Sequence, residues 1–421
     1  MTWPGWAGAA AGAIYFLCAG ELAGKEQADA VYWIGVGTFL ACVAILLVGG
    51  RIERTLEILN WILIVFILGG LLILCLLFAR PSAWLDAAAG FVGFDLPSRE
   101  FKPLPPGADW FLIGAFAAYS GAGGVINLAL SNWARDKGFG MGQVVGFIPT
   151  AVGGHEVKLA HTGQVFELTP DSRDRWSRWW HIVRIDQWGV FFVGAFLGMG
   201  LPAILYTSFI EPGKDIRGLS VAAELASAMA SRGGAVLTFT VAMMGAWVLF
   251  KTQLDNVDGM VRVITDILWT ASSRMRRWSR GDVRRVYYSV LAVVVVWGTI
   301  ALRLTQPIIL LQLGANMAGV VFVISSLHVL YVNTTLLPVE LRPPIWRRVA
   351  LVGLSLFYGF FVYLWLMGGL VPDTSKGFLF NIPKLLRGGW HPVAKPTPIR
   401  AATVGERNPQ GSGIGGIPTA R

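Results

Sequence analysis

The residues able to do chemistry in this chain are few, and nearly all of them sit inside long apolar stretches. Ser120-Gly-Ala-Gly-Gly124 places three glycines, Gly121, Gly123 and Gly124, in the middle of one such stretch. An interruption of that kind can unwind a helix and expose backbone groups, which a bilayer tolerates only where they line a cavity or a binding site. Close packing through small residues is the alternative use of the same glycines. Lys251-Thr-Gln-Leu-Asp-Asn-Val-Asp258 puts Asp255 and Asp258 on one helix face, with Arg262 one turn beyond Asp258. Ionisable groups at membrane depth mark ion or proton paths; a solvated helix end at the interface gives the same pattern. Glu21, near the end of the first apolar stretch, has the same two readings, with snorkelling as the second. Gln306, Gln312, Asn316, His328 and Asn333 recur along another stretch, as a hydrophilic stripe beside a pathway or as hydrogen-bonding glue between helices.

Enzyme chemistry finds little support. Ala118-Tyr-Ser-Gly121 with the distant His328 faintly resembles the intramembrane serine–histidine dyad of rhomboid proteases, but Ala118 replaces that family's usual first glycine and the helix count is too high. His155 and His161 miss the one-turn spacing of a two-histidine zinc helix. Cys18, Cys42 and Cys75 all fall inside apolar stretches, as small packing residues without a disulfide framework. The expectation is a protein without enzymatic activity and without a cofactor.

The elements that must position these groups are transmembrane helices. The chain has 421 residues, 54% hydrophobic and only 14% charged, and a mean hydropathy of +0.58. Soluble domains carry about 25% charged residues. A bilayer core needs about 20 mostly apolar residues per helix, and nine stretches qualify, near 5–23, 31–50, 55–79, 110–133, 188–210, 235–255, 286–304, 308–337 and 349–370. Trp33, Trp110, Trp188, Tyr287, Tyr288 and Trp346 stand at their edges, as in an interfacial aromatic belt. The net charge of +10 is spread between the stretches rather than gathered in one soluble patch, so nucleic acid is not expected as a partner. With the amino end inside, Arg51, Arg54, the basic residues of 135–184 and 262–285, Arg342, Arg347 and Arg348 all lie on the inner side, which satisfies the positive-inside rule.

Residues 136–187 form the longest interruption. Alternation in 156–161 and 164–168 predicts a short β-hairpin, and the Trp- and Arg-rich run 174–188 predicts an amphipathic helix in the headgroup plane. Residues 80–109 hold Pro81, Pro97, Pro103, Pro105 and Pro106, which predict a packed outer loop without regular helix. The organisation expected is a transmembrane domain over 1–370 and a disordered tail over 371–421, rich in Pro, Gly and Arg.

From Val48 the order of elements carries a resemblance. Gly50-Arg-Ile-Glu-Arg-Thr-Leu-Glu57, a long apolar helix, Arg80-Pro81, a proline-rich outer loop and a stretch opening Leu112-Ile-Gly114 resemble helices four to six of the Nramp family of divalent metal-ion transporters. Cys18-Ala-Gly-Glu-Leu-Ala-Gly24 resembles that family's third helix. The resemblance implies an all-α LeuT-type fold of two inverted five-helix repeats, with a site between two broken helices. It also implies proton-coupled transport of a divalent cation across the inner or plasma membrane. Two departures stand out. Ala122-Gly-Gly-Val125 replaces the family's Met-Pro-His element, and the first two helices of the family have no counterpart before the first apolar stretch.

The roles that follow from the resemblance are Gly121, Gly123 and Gly124 as the unwound segment, Asn127 and Gln312 as polar ligands, and Glu21, Asp255 and Asp258 as an ion or proton path. Oxygen-only ligands favour a hard cation such as magnesium over iron. The missing helices would come from an upstream extension of the reading frame or from a partner chain. The competing expectation is a non-transporting membrane protein, a fragment or a scaffold presenting the 136–187 loop.

Overall fold

In the computed structural model the chain is an all-α bundle, and the structure describes residues 4–47, 52–103, 109–120, 126–148, 159–162, 166–211, 223–304 and 306–367. Three helices open it: α1 (Pro4–Ala19), α2 (Ala28–Leu47) and α3 (Ile52–Phe78). Next come α4 (Pro81–Phe91) and a two-residue antiparallel ladder of β1 (Phe94–Asp95) with β2 (Glu100–Phe101). The helices α5 (Trp110–Tyr119) and α6 (Ile126–Asp136) flank the glycine run, and a single turn, α7 (Gly142–Val145), follows them. The helix α8 (Pro170–Arg184) passes through a π-helical segment, Ile185–Phe192, into α9 (Val193–Phe209). The remaining helices are α10 (Glu224–Ala271), α11 (Ser273–Trp278), α12 (Val283–Ala301), α13 (Pro307–Thr335) and α14 (Ile345–Met367).

Seven helical segments among the described residues are long and apolar enough to cross a membrane, and α1 and α5 are shorter apolar helices. Trp33, Trp61, Trp188 and Trp346 are all more than 60% exposed. In water such surfaces would drive aggregation; against lipid they are the ordinary face of a spanning helix. Burial is reserved for small and medium side chains between helices. In α1, Ala7, Ala9, Ala10, Ala11 and Ala13 are all essentially inaccessible, and this face lets α1 pack against α10, α2 and α13.

The boundaries depart from expectation in three places. Pro81 does not prevent a helix in the 80–109 segment. It takes the first position of α4, where its missing N–H would be unpaired in any case and its fixed φ suits the helix. The sixth expected span does not end at 255. It continues to Ala271, and near its amino-terminal end the helix is kinked at Gly234, whose φ of 63° favours glycine. At 1.5 Å per residue the helix after the kink is about 55 Å long, more than a bilayer with its headgroups, about 40–45 Å. The expected hairpin lies partly outside the described residues; 159–162 and 166–169 carry no strand. The expected tail, 371–421, is wholly outside them. The amphipathic helix forms four residues earlier than expected, at Pro170, capped by Thr169, whose Oγ1 accepts from Ser172 N at 3.2 Å.

The N-terminus of α12 is held by Asp282, whose carboxylate accepts from Arg284 N at 3.0 Å and from the Arg284 side chain at 3.0–3.2 Å. Burial alone would push this carboxyl up, but the Arg284 hydrogen bonds outweigh it and hold it below the usual carboxylate range. A carboxyl depressed in the folded state stabilises fully above its unfolded pKa, about 3.9. That stabilisation is lost as pH falls through the lower folded value. Asp282→Ala is expected to cost about 1 kcal/mol at neutral pH. Thermal unfolding in detergent at pH 7 and pH 3 checks this, since the difference between wild type and variant should shrink at the lower pH.

Candidate functional site

From Lys251 onward α10 turns from apolar to charged. Asp255, Asp258, Arg262 and Asp266 follow at steps of three, four and four residues, which at 3.6 residues per turn keeps all of them on one stripe. Two other helices bring side chains to this stripe: α6, ending in Trp133, Arg135 and Asp136, and α12, whose second turn carries Tyr287. The packing of α6 and α12 on α10 encloses the centre of a charged cluster, while Arg135 and Asp266 at its edge stay partly exposed.

Arg262, Asp258 and Asp136 have fully buried side chains. Arg262 donates from Nε to Asp258 Oδ2 at 2.7 Å and from Nη1 to Asp136 Oδ2. Asp258 also accepts from Trp133 Nε1 at 2.8 Å and from the Tyr287 hydroxyl at 2.7 Å. Asp136 also accepts from Arg135 Nε at 2.8 Å and from Ile148 N at 3.3 Å, while Arg135 Nη1 reaches Asp266 at 2.6 Å. With every group ionised, three carboxylates face two guanidiniums, and the Tyr and Trp donors spread the excess negative charge. Arg135 Nη2, Arg262 Nη2 and Thr265 Oγ1 are buried with no partner among the described residues. Buried charges survive only when paired and hydrogen-bonded; here the pairing is nearly complete, and the open positions are all beside Arg262 and Arg135 or on the same stripe.

One turn towards the apolar half of α10, Asp255 belongs to a different environment. Its carboxylate meets Lys251 Nζ at 2.7 Å and Asn60 Nδ2 of α3 at 3.4 Å, and its side chain keeps 16% exposure. The sequence groups Asp255 with Asp258, but they do not share partners: Asp258 is locked by three donors on three helices, and Asp255 keeps one lysine and one long amide hydrogen bond. Asn60 Oδ1 beside it is buried and unpartnered among the described residues. Gln253, two residues away and fully buried, has neither amide atom paired among them.

The other expected residues scatter. Gly121, Gly123 and Gly124 lie outside the described residues; the helices flanking them end at Tyr119 and restart at Ile126. Asn127 is in the first turn of α6. The backbone oxygen of Gln312 accepts from Asn316 Nδ2 at 2.9 Å, and the same Nδ2 donates to Phe111 O at 2.8 Å, tying α13 to α5. Asn316 Oδ1 is buried and unpartnered among the described residues. Glu21 is exposed and accepts from the Tyr15 hydroxyl at 3.3 Å, on its own side of the chain and apart from the α10 cluster. Among the described residues no group of three His, Cys, Asp or Glu could hold a metal ion.

Sequence reasoning missed Asp136, Arg135, Asp266, Trp133, Tyr287 and Asn60. The stripe was read from the spacing as far as Arg262, and ending the span at 255 left out Asp266.

No family model, no curated protein and no solved structure matches the chain. Fold and composition define its class directly: this is a multi-pass membrane protein of the all-α bundle type.

Proposed function

We propose that the chain is a secondary transporter that couples movement of a hard divalent cation to protons, with an Nramp-like, LeuT-type arrangement. The observation that carries this reading is the buried charged stripe of α10, joined by the inner half of the interrupted α5/α6 span. Ionisable groups are expensive in a bilayer and are retained mainly where charge must pass. The two halves of the interrupted span also engage different neighbours: α5 packs on α13 and α14, and α6 on α10. That division suits a discontinuous helix whose break faces a path at mid-membrane. In this reading Asp255, loosely held by Lys251 and Asn60, is the carboxylate that exchanges a proton, and the Asp136–Arg262–Asp258 lock closes the basic end. The oxygen ligands expected from the sequence, Asn127 and Gln312, make magnesium the first cargo to try, with manganese second.

The test is uptake of magnesium, manganese, iron and cobalt into proteoliposomes, with and without an inward proton gradient. Wild type is expected to show saturable uptake stimulated by the gradient, and Asp255→Asn to lose roughly tenfold or more of that stimulation while keeping the wild-type unfolding temperature. No uptake of any ion by folded protein would overturn the reading. The near-complete saturation of Asp258 and Asp136 would then favour a static membrane scaffold.

A further inference from the structure

At the basic end, where α8 passes beside the loop between α13 and α14, a groove of about 670 Å³ opens between the helices. Its volume falls in the range of small-molecule sites, about 300–1,000 Å³. One wall is apolar: Leu337, Leu341, Ala350, Leu351 and Leu354, the last three in the first turns of membrane-spanning α14. The other is cationic and aromatic. Arg184, Arg342 and Arg347 line it, and the Arg347 guanidinium stacks over Trp180 at 4.1 Å.

Charge decides what the groove can take. Among the described residues none of these three arginines is paired with a carboxylate. The one acid in the lining, Glu340, faces Arg173 at 3.9 Å. Arg342 Nε donates to Leu337 O at 3.1 Å, which fixes the side chain and leaves its terminal nitrogens for another acceptor. The groove therefore presents several fork-shaped donors, suited to phosphate oxygens, beside an apolar wall at the membrane boundary.

We infer that this groove binds one anionic glycerophospholipid, its phosphate among Arg184, Arg342 and Arg347 and its acyl chain along Leu351 and Leu354. A zwitterionic lipid brings a choline cation that the arginines repel, and a soluble phosphate leaves the apolar wall bare. The occupant would hold α8 against α14, adding to the stacking of Arg347 on Trp180 that joins them. The inference needs only the membrane placement of the chain and is independent of transport.

The test is native mass spectrometry and thermal unfolding of the full chain in detergent, with added phosphatidylglycerol, phosphatidylcholine or inorganic phosphate. Retention of one phosphatidylglycerol per chain with a raised unfolding temperature is expected, with neither phosphatidylcholine nor phosphate producing it. Arg342→Gln combined with Arg347→Gln should weaken that retention roughly tenfold or more, because only one of the three guanidiniums around the phosphate would remain. Should the pair fail to fold, Arg184→Gln, at an exposed position, is expected to weaken it severalfold. Equal retention of phosphatidylcholine, an equal effect of phosphate alone, or unchanged retention in a folded variant would each overturn the inference.

Discussion

Arg262→Met is expected to lower the stability of the detergent-solubilised protein by about 3–5 kcal/mol. The guanidinium is fully buried and is shared between Asp258 and Asp136, on helices that meet only through tertiary packing. Removing it leaves two carboxylates without their common cation, inaccessible to water, and the cost is mostly that of the uncompensated charge rather than of the broken hydrogen bonds. Asp258 retains Trp133 and Tyr287, and Asp136 retains Arg135 and Ile148 N, so the effect is bounded. Adding Asp136→Leu and Asp258→Leu to Arg262→Met should recover part of it, because no buried carboxylate is then left without its cation, while Trp133 Nε1, the Tyr287 hydroxyl and Ile148 N lose their acceptors and keep the rest of the cost. Denaturant titrations of the single and triple variants provide the measurement. A single variant within about 1 kcal/mol of wild type would mean that the cluster is hydrated like a surface pair.

Gly5→Val is expected to destabilise the bundle by about 3 kcal/mol, the upper end of overpacking costs. A Cβ at Gly5 would lie 2.6 Å from Pro307 O and 3.0 Å from Leu311 N, both backbone atoms of the first turns of α13. Side chains can turn away, but backbone moves only with its helix. Pro307 has a fixed φ and opens α13, so that turn cannot shift locally. The helix α1 would therefore have to leave α13, taking its alanine face partly off α10. Gly37→Ala on neighbouring α2 is the control: nothing lies within 4 Å of its Cβ, so it should be neutral or mildly stabilising. Unfolding temperatures of the two variants in one detergent give the comparison, and a Gly5→Val protein as stable as the control would remove the close α1–α13 approach from the fold.

The spanning helices were legible because a membrane helix is a local property. About 20 apolar residues bounded by charge or breakers are sufficient to place one, so 308–337 and 349–370 correspond to α13 and α14 within a few residues. That 174–184 is helical was legible for the same reason; that α8 continues through the π-helical segment into α9, rather than ending as a separate helix in the headgroup plane, was not. Proline was misread in the 80–109 segment because its effect depends on position: inside a helix it breaks a bond, and at the first position of α4 it breaks none.

The candidate site divides differently. By itself the sequence determined an all-α membrane protein, the run of acidic residues on α10, and the Asp258–Arg262 pair one turn apart, which needs only helix geometry. It could not determine that Asp136, 126 residues away from Arg262, completes that pair, nor that Tyr287 and Trp133 close over it. Hydrophobicity places each helix in the bilayer but says nothing of which neighbours it meets or how it is turned. Only the packing of α6, α10 and α12 decided that Asp258 is locked, while Asp255, three residues earlier and facing α3, keeps partial exposure and fewer partners. The physical reason is that a charge in a membrane takes its character from partners within about 4–6 Å, and those partners come from other helices.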